Sequence, residues 1–352
     1  MKNRLLSLLV ALLCAALLLT SCMSRQSVTE PVEPVTTPVE QTEPVVVEPV
    51  EPEPVEPVVT EEAAATLTKT GSRMLWRIDG TDRNGEKSVV YVLGSFHFAD
   101  DSVYPFSDEI LDAWNGADRL VAEISSDDQI RFTNEVLPAM LEESQRLAAG
   151  RNAVDELPSD CRMFFYNSFS PDQREIFNSF EPWYLGLSCS SGLVMAMGMD
   201  AASGIDNVLT FMAMDEGRSI EGLDALETQA DILRFGSWDE QLVIAAQSVR
   251  EMINIQESAV NLLKLYSAYV NDDPETIQAL VDEEKELDLS EEDFNVILRY
   301  NKAVYEDRNA AWAEKIRDYL LDGGTTFIFA GSAHFCSKDS VFNKMKAKKY
   351  IK

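Results

Sequence analysis

The sequence predicts an α/β fold in which strands from both ends of the folded region form one sheet, with a large helical middle between them. Short β-rich runs occur early, at residues 75–78 and 88–93, and again late, at residues 325–330. Between them, apolar residues recur with the spacing of helices. Because a sheet and the helices that pack on it share one hydrophobic core, we expect the late strand to pair with the early ones. Residues 349–352 are a candidate for a short final strand.

Local signals define the elements in order along the chain. Residues 75–78 and 88–93 flank a turn-like segment, which predicts a hairpin. A helix over residues 107–115 then leads to a strand at 118–124, so strand, helix and strand predict a βαβ unit. Ser290 begins the last helix with a capping-box-like pattern. The helices predicted for the remainder cover residues 129–146, 175–199, 205–215, 229–235, 239–271, 274–287 and 290–321.

The start of the chain has the pattern of a secretory signal. Lys2 and Arg4 precede a leucine-rich run at residues 5–19. That run is shorter than the roughly 20 residues of a membrane-spanning helix, so it predicts a cleaved signal peptide over residues 1–21. The Leu-Thr-Ser-Cys tetrapeptide that ends at Cys22 resembles the lipobox of bacterial lipoproteins, which makes Cys22 the expected lipidation site. A plain signal peptide with a chance cysteine is the alternative.

Residues 22–66 are predicted to be a lipid anchor followed by a tether. A diacylglycerol thioether and an N-linked acyl chain such as palmitate together supply the two signals that stable anchoring needs. Repeated Pro-Val-Glu units, such as residues 31–33, block helix formation and repel one another, so they favour an extended tether. A Pro-rich docking motif is the alternative. We therefore expect a protein of the bacterial cell envelope, outside the cytoplasm, with one folded domain over residues 67–352.

The net charge limits the class of ligand, and the cysteine count limits the possible disulfide bonds. The net charge of −30 argues against nucleic acid or anionic lipid as a ligand. Of five cysteines, Cys14 leaves with the signal and Cys22 carries lipid. Three remain, namely Cys161, Cys189 and Cys336, and an odd number leaves at least one thiol unpaired. A Cys161–Cys189 bridge is one of three possible pairings, and the spacing of the cysteines does not match a metal-thiolate site.

Two distant segments share one motif. Residues 91–98 and 327–335 are each an apolar run that ends in Gly-Ser-x-His-Phe, with Gly94 and Gly331 as the glycines. The histidines, His97 and His334, are the only two in the chain. Ligands of open α/β sheets gather at the carboxyl ends of strands, where glycine permits a sharp turn and close approach. The repeat therefore predicts that both histidines contribute to one site.

Glu123 is the natural third member of that site, because it ends the strand predicted at residues 118–124. A carboxylate buried against an apolar strand is costly unless a cation lies near it. Two imidazoles and a carboxylate would form a three-ligand metal site with an open position for water. Two other interpretations remain open: histidines that only cap their strands, and a solvated glutamate at a strand end.

The order of motifs resembles the TraB/GumN family, which is related to the Tiki proteases. The resemblance covers about residue 75 to the C-terminus. It rests on the first Gly-x-x-His, Glu123, Gly204-Ile205-Asp206, residues 221–229, Arg308-Asn309 and the second Gly-x-x-His. The sequence departs from the family after the second histidine, where Phe335-Cys336-Ser337 replaces the usual leucine and glycine.

The resemblance implies an erythromycin-esterase/Tiki/ChaN-like fold and a divalent-metal-dependent hydrolase, specifically a peptidase with peptide or protein substrates. Manganese or cobalt is the implied metal, and zinc is also compatible. His97, Glu123 and His334 match the metal or catalytic set by position. Arg308 and Asn309 match a polar pair, expected to steady an oxyanion and to orient substrate, while Glu123 is either a ligand or the general base. Asp206 and Glu227 match positions of unclear role.

The same superfamily gives one alternative function. Its ChaN-like members imply a lipoprotein that retains haem or metal in the same cleft without turnover.

Overall fold

The computed structural model describes residues 64–283 and 285–352, together with the backbone of the dipeptide Lys2–Asn3. The signal run at residues 5–19, the lipidation site Cys22 and most of the expected tether lie outside the described residues. Two short strands, β1 (Lys2–Asn3) and β7 (Lys285–Glu286), pair with each other in antiparallel register. Within the described part of the chain, no helix combines the length and apolar character needed to cross a bilayer.

A mixed sheet of six strands forms the centre of the fold, in the order β2-β3-β4-β8-β5-β6. The first three strands are antiparallel, and the β4–β8, β8–β5 and β5–β6 pairs are parallel. The C-terminal strand β8 therefore lies between the N-terminal strands β4 and β5 in one sheet, which confirms the predicted α/β class. The six strands are β2 (Thr66–Lys69), β3 (Leu75–Thr81), β4 (Lys87–Ser95), β5 (Arg119–Ala122), β6 (Ile220–Gly222) and β8 (Gly324–Gly331).

Most strand predictions are confirmed, one is wrong, and two strands were not predicted. The predicted hairpin is the β3–β4 pair, and β4 and β5 of the predicted βαβ unit are parallel, with β8 between them. Residues 349–352 form no strand, and only Ile351 makes an isolated bridge, to Ala65. The strands β2 and β6 were not predicted, since β2 lies at the expected end of the tether and β6 has only three residues.

Helices account for the middle of the chain, and local caps divide the longer predicted runs. The predicted helix at residues 205–215 is observed as Ile205–Asp215. The run at 175–199 is divided because Pro182 starts a new helix. The α-helices are Asp108–Asn115, Ser126–Arg131, Leu137–Ala148, Ala153–Glu156, Ser159–Ser168, Pro171–Asn178, Pro182–Ala196, Ile205–Asp215, Leu226–Leu233, Trp238–Ile253, Ile255–Val270, Pro274–Val281, Glu291–Asn301, Arg308–Asp322, Ala333–Cys336 and Val341–Ala347.

Short irregular turns complete the helical regions. Wider π-type turns join consecutive helices at Phe132–Val136 and Lys302–Asp307, and 3-10 turns occur at Asp101–Val103 and Ala201–Ser203. The predicted helix at 290–321 is therefore interrupted just before Arg308.

The register of β4 and β8 brings the two repeated motifs to the same level. Gly94 pairs with Ala330 and Ser95 pairs with Gly331. The ladder continues one step further, since the N–H of Ser332 donates to the carbonyl of Ser95 at 2.9 Å. Both Gly-Ser-x-His segments therefore leave the sheet side by side, at the carboxyl ends of adjacent parallel strands.

Aromatic packing fixes the central strand. Phe327 of β8 is fully buried, and its ring meets that of Trp114 edge to face at a centroid distance of 5.6 Å. Trp114 belongs to the helix between β4 and β5 and donates its indole N–H to Glu216. The contact between Phe327 and Trp114 therefore packs β8 against the helix Asp108–Asn115, which follows β4.

The three described cysteines are buried and free. The Cys161–Cys189 bridge, one of the pairings left open by the sequence, is therefore not formed. Burial raises the pKa of each of these thiols to about 12, so they remain protonated at ordinary pH.

Phe327→Ala should lower the free energy of unfolding by about 3–5 kcal/mol, because it removes a fully buried aromatic ring from the central strand. Urea unfolding followed by circular dichroism measures the change. Ile176→Ala is the control, since that side chain is 56% exposed and its truncation should change stability by about 0.5 kcal/mol or less. Equal losses in both variants would contradict the assignment of Phe327 to the core.

Candidate functional site

The sheet brings His97 and Glu123 to the same place. His97 follows β4 by two residues and Glu123 follows β5 directly, with the end of β8 between them. His97 Nε2 and Glu123 Oε1 are 3.7 Å apart, and both side chains are close to nine-tenths buried. His334 lies nearby in the short helix Ala333–Cys336, not at a strand end, and is 2% exposed.

A carboxylate orients the ring of His97. Asp206 Oδ2 lies 2.8 Å from His97 Nδ1, within ion-pairing distance, and an ionised carboxylate there favours the form of the ring that carries a proton on Nδ1. Ser95 Oγ donates to the other oxygen of Asp206 at 2.6 Å and fixes the carboxylate. In the neutral imidazole, Nε2 therefore holds the lone pair and faces Glu123.

The Gly-Ile-Asp motif places Asp206 by close backbone contact. The N–H of Ile205 donates to the carbonyl of Phe96 at 3.0 Å. A Cβ atom on Gly204 would lie 2.2 Å from the carbonyl oxygen of His97, a distance that no side chain tolerates. Only glycine permits this approach, and the approach sets Asp206 beside His97.

Glu123 is held as an anion by its partners. One carboxylate oxygen accepts from Arg308 Nη2, and the other accepts from the N–H of Gly331 at 3.0 Å. Burial alone would raise the pKa of Glu123, but the charge of Arg308, together with the hydrogen bond from the Gly331 N–H, holds that pKa well below its usual range. The carboxylate is therefore ionised across the ordinary pH range.

Asp224 anchors the other side of Arg308 and was not identified as a site residue from the sequence. Its carboxylate accepts from Arg308 Nε at 2.7 Å, Trp312 Nε1 at 2.6 Å and Gln229 Nε2 at 2.8 Å. Its own N–H donates to the carbonyl of Glu123 at 2.7 Å, which extends the β5–β6 ladder. Glu227, the acidic residue singled out from the same motif, is solvent-exposed.

His334 is neutral, and its tautomer is fixed. Arg308 Nη1 lies 3.3 Å from His334 Nε2, and because a guanidinium only donates, Nε2 is the acceptor. Nδ1 then donates to Asn309 Oδ1 at 2.6 Å, while Asn309 Nδ2 donates to the carbonyl of Asp339. Burial, and then the charge of Arg308, lower the pKa of His334 to about 3.

Two cavities meet at His97. The first is a cleft of about 70 Å³ with Glu123 and Asp206 in its wall. Its other polar lining residues are Gln129, Asn207, Thr210 and Gln229. The second is mainly apolar, has a volume of about 20 Å³ and also touches His334.

The motif glycines keep the space around the two histidines open. A Cβ atom on Gly331 would lie 3.2 Å from His97 Nε2 and 3.4 Å from Glu123 Oε1, so a side chain there would fill the gap between them. A Cβ atom on Gly94 would lie 3.1 Å from that of Ser332, so glycine also lets the two repeated motifs pass closely.

The donor set fits a divalent ion on two protein ligands. Ligand atoms about 2.1 Å from one ion lie at most about 4 Å apart, and the 3.7 Å between His97 Nε2 and Glu123 Oε1 meets that limit. His334 does not supply the third ligand, because its Nε2 accepts from Arg308. Within the described residues, no group of three or more His, Cys, Asp or Glu side chains is placed to hold a metal. The arrangement suits an ion that completes its shell with water, not a closed zinc-type site.

Fold and site together define an α/β protein with a paired Gly-Ser-x-His centre at the carboxyl ends of parallel strands. The family model TraB/PrgY/gumN matches residues 74–352, and the chain belongs to this family. It is also similar to an uncharacterized protein of Treponema pallidum (strain Nichols), with 28% identity over 295 residues that cover 82% of this chain and 85% of the relative. No solved structure matches the chain.

The depressed pKa of His334 predicts loss of stability in acid. The unfolded histidine binds a proton below about pH 6.5, whereas the folded one resists protonation down to about pH 3. The free energy of unfolding should therefore be fully retained above pH 6.5 and fall below it, by up to about 1.4 kcal/mol per pH unit from this group.

Urea unfolding between pH 7.5 and 5.5, with a chelator present, measures this slope before an unfolded glutamate, with a pKa near 4.5, binds much proton. His334→Gln should flatten the curve, because glutamine does not titrate. Identical slopes in the wild type and the variant would show that His334 is not the buried neutral group described above.

Proposed function

We propose that the protein is a hydrolase of the TraB/PrgY/gumN family, that it cleaves peptide bonds, and that it uses a divalent cation held by His97 and Glu123. The observation that carries the proposal is the placement of this pair at the cleft with separate partners behind each member. Asp206 holds His97, and Arg308 holds Glu123. A site with its reactive groups fixed by neighbouring hydrogen bonds is what catalysis requires.

The charge of the cluster supports a bound cation. Glu123, Asp206 and Asp224 are three carboxylates, and Arg308 pairs with two of them, Glu123 and Asp224. Three carboxylates outnumber Arg308 and His97, so these five residues carry more negative than positive charge even with His97 protonated. Such a surplus is stabilised by a metal ion or by a cationic group of the substrate.

A divalent ion in this position would acidify a bound water and polarise the substrate carbonyl. Manganese or cobalt is the proposed metal, because two protein ligands and open positions for water suit such ions. His97 has a fixed tautomer with Nε2 toward the cleft, and Glu123 stays ionised. Glu123 is the group that can accept a proton from water, because the one lone pair of the His97 ring would be engaged by the ion.

Arg308 and Asn309 act in this proposal as positioning residues. Arg308 is 4% exposed, and its nitrogens donate to Glu123, Asp224, His334 and the carbonyl of Val304. Both polar atoms of Asn309 are bonded to protein. With these donors engaged, neither side chain is set to steady an oxyanion or to orient substrate, the roles implied by the family resemblance. Their contribution is to hold the carboxylate of Glu123 and the ring of His334.

The lining of the cleft supports an amide substrate. Three carboxamides and one hydroxyl surround the two carboxylates, and the cleft-lining residues that the structure describes include no lysine or arginine. Carboxamides pair with the N–H and C=O groups of a peptide, whereas an anionic substrate would be repelled. We therefore propose neutral or cationic peptides as the substrate class.

Glu123→Gln should reduce peptide cleavage by at least about 100-fold, because it removes the charge that holds the cation and can accept a proton. Full-length protein in a non-ionic detergent is incubated with unmodified peptides of varied sequence and Mn²⁺, Co²⁺ or Zn²⁺, and the products are identified by mass spectrometry. Glu227→Gln is the matched control, since it removes an exposed carboxylate from a family motif and should leave the rate unchanged.

Circular dichroism establishes that both variants are folded, and His97→Asn provides a second variant of the pair. Absence of turnover by the wild type with each of these metals would contradict the proposal. A Soret band on the purified protein together with such inactivity would support the alternative, a haem-binding protein without catalysis.

We also propose that the protein is a lipoprotein of the cell envelope, anchored through Cys22. The support is the leucine-rich run at residues 5–19 and the small residues before the cysteine. Cys22→Ala should move the protein from the washed membrane fraction to the soluble fraction, as measured by immunoblot. The equally conservative Cys14→Ala, within the signal run, should leave it on the membrane. Retention of a cleaved Cys22→Ala protein on membranes would contradict lipid anchoring.

A further inference from the structure

A third cavity lies apart from the two that meet at His97 and is larger than either. Its volume is about 220 Å³, compared with about 70 Å³ for the cleft that contains Glu123. The loop that carries Ser72 and Arg73 forms one wall, and the helices Asp108–Asn115 and Ile255–Val270 contribute to the others. None of the residues discussed above as metal ligands or proton acceptors lines it.

Arg73 brings a positive charge to this cavity without a carboxylate partner. Its Nε donates to the carbonyl of Val270 and its Nη1 to the carbonyl of Val103, both at 3.0 Å. Among the described residues, no carboxylate lies within ion-pairing distance of Arg73, although the chain as a whole carries a net charge of −30. The Val270 carbonyl is at the C-terminal end of the helix Ile255–Val270, so the backbone compensates part of the charge. The hydrogen bonds given for Arg73 use Nε and Nη1, which leaves Nη2 to donate to an anionic ligand.

Hydroxyl groups lie beside Arg73 in the same lining. Ser72 Oγ and Ser107 Oγ are 2.7 Å apart, and Ser72 also donates to the exposed carboxylate of Glu109 at 2.7 Å. The carboxylate of Glu109 is therefore hydrogen-bonded to Ser72 and is not paired with the guanidinium of Arg73. Because Ser72 gives its hydroxyl proton to Glu109, Ser107 donates to Ser72, and Arg73 is the side chain in the described lining that can donate to an anion.

The remaining wall is apolar and rigidly packed. Leu93, Ile110, Ile205 and Tyr269 line it, and each is at most 4% exposed. A cavity of about 150 Å³ with an apolar lining holds a benzene molecule, so 220 Å³ accommodates a phenyl ring or a branched alkyl group with a small polar head.

We propose that this cavity binds a monocarboxylate with a compact apolar body, the carboxylate on Arg73 and the apolar group against Leu93, Ile110 and Ile205. Arginine is suited to this ligand because its planar fork matches a carboxylate with two parallel hydrogen bonds. The proposal is independent of the hydrolase activity proposed above, since it concerns another cavity and other residues.

Titration of 3-phenylpropionate into the full-length protein in a non-ionic detergent tests the proposal by calorimetry. The wild type should bind the acid at one site and bind the uncharged 3-phenylpropionamide at least about tenfold more weakly, because the amide offers no anion to Arg73. Arg73→Gln should weaken binding of the acid by a similar factor and leave binding of the amide unchanged. Arg77→Gln, an arginine already paired with Asp79 on β3, is the control and should bind like the wild type.

The comparison of acid and amide on the wild type keeps the test decisive even when Arg73→Gln fails to fold. Equal affinity for acid and amide would overturn the role of the guanidinium. Absence of saturable binding of the acid, or unchanged affinity in a folded Arg73→Gln variant, would overturn the site itself. Loss of binding in Arg73→Gln together with retention in Arg77→Gln would establish it.

Discussion

The buried guanidinium of Arg308 joins the parts of the candidate site. It donates to Glu123 after β5, to Asp224 after β6 and to His334 after β8. These three residues come from distant parts of the sequence, and two of them are acidic. Without the cation, two carboxylates would lie buried near each other, and loss of one partner of a buried ion pair typically costs about 3–5 kcal/mol. The geometry around Glu123 therefore depends on a residue that is itself buried.

The position of β8 in the sheet also holds the residues of this network in place. By lying between β4 and β5, the last strand inserts the second Gly-Ser-x-His motif between His97 and Glu123. Gly331 then contributes a backbone N–H to Glu123 and, lacking a side chain, leaves room for His97. A domain whose sheet is completed by its C-terminal strand forms this site only when the whole chain has folded. The helical middle contributes Asp206 and Asp224, so no single segment contains the site.

The sequence was sufficient to locate the site and insufficient to assign its roles. His97 and His334 were found because their motif is repeated, and Glu123 because it ends an apolar strand. The parallel register that unites them was not predictable from the hairpin and helix signals, which are local. Asp224 was missed because its three donors include Arg308, 84 residues away in sequence, and no pattern within the motif distinguishes it from the exposed Glu227. Likewise, the positive charge of Arg308 predicts contact with an anion. Only the structure shows that the anions are carboxylates of the protein itself and not of a substrate.

The chain enters the domain at the end of the sheet opposite to the candidate site. Thr66 pairs with Asp79, which pairs with Val89 near the start of β4, whereas His97 follows the end of β4. The polypeptide therefore joins the sheet at the end remote from the cleft. In the tethered protein that we propose, the attachment point and the cleft lie at opposite ends of the sheet, so a membrane anchor and a bound substrate would not compete for the same face of the domain.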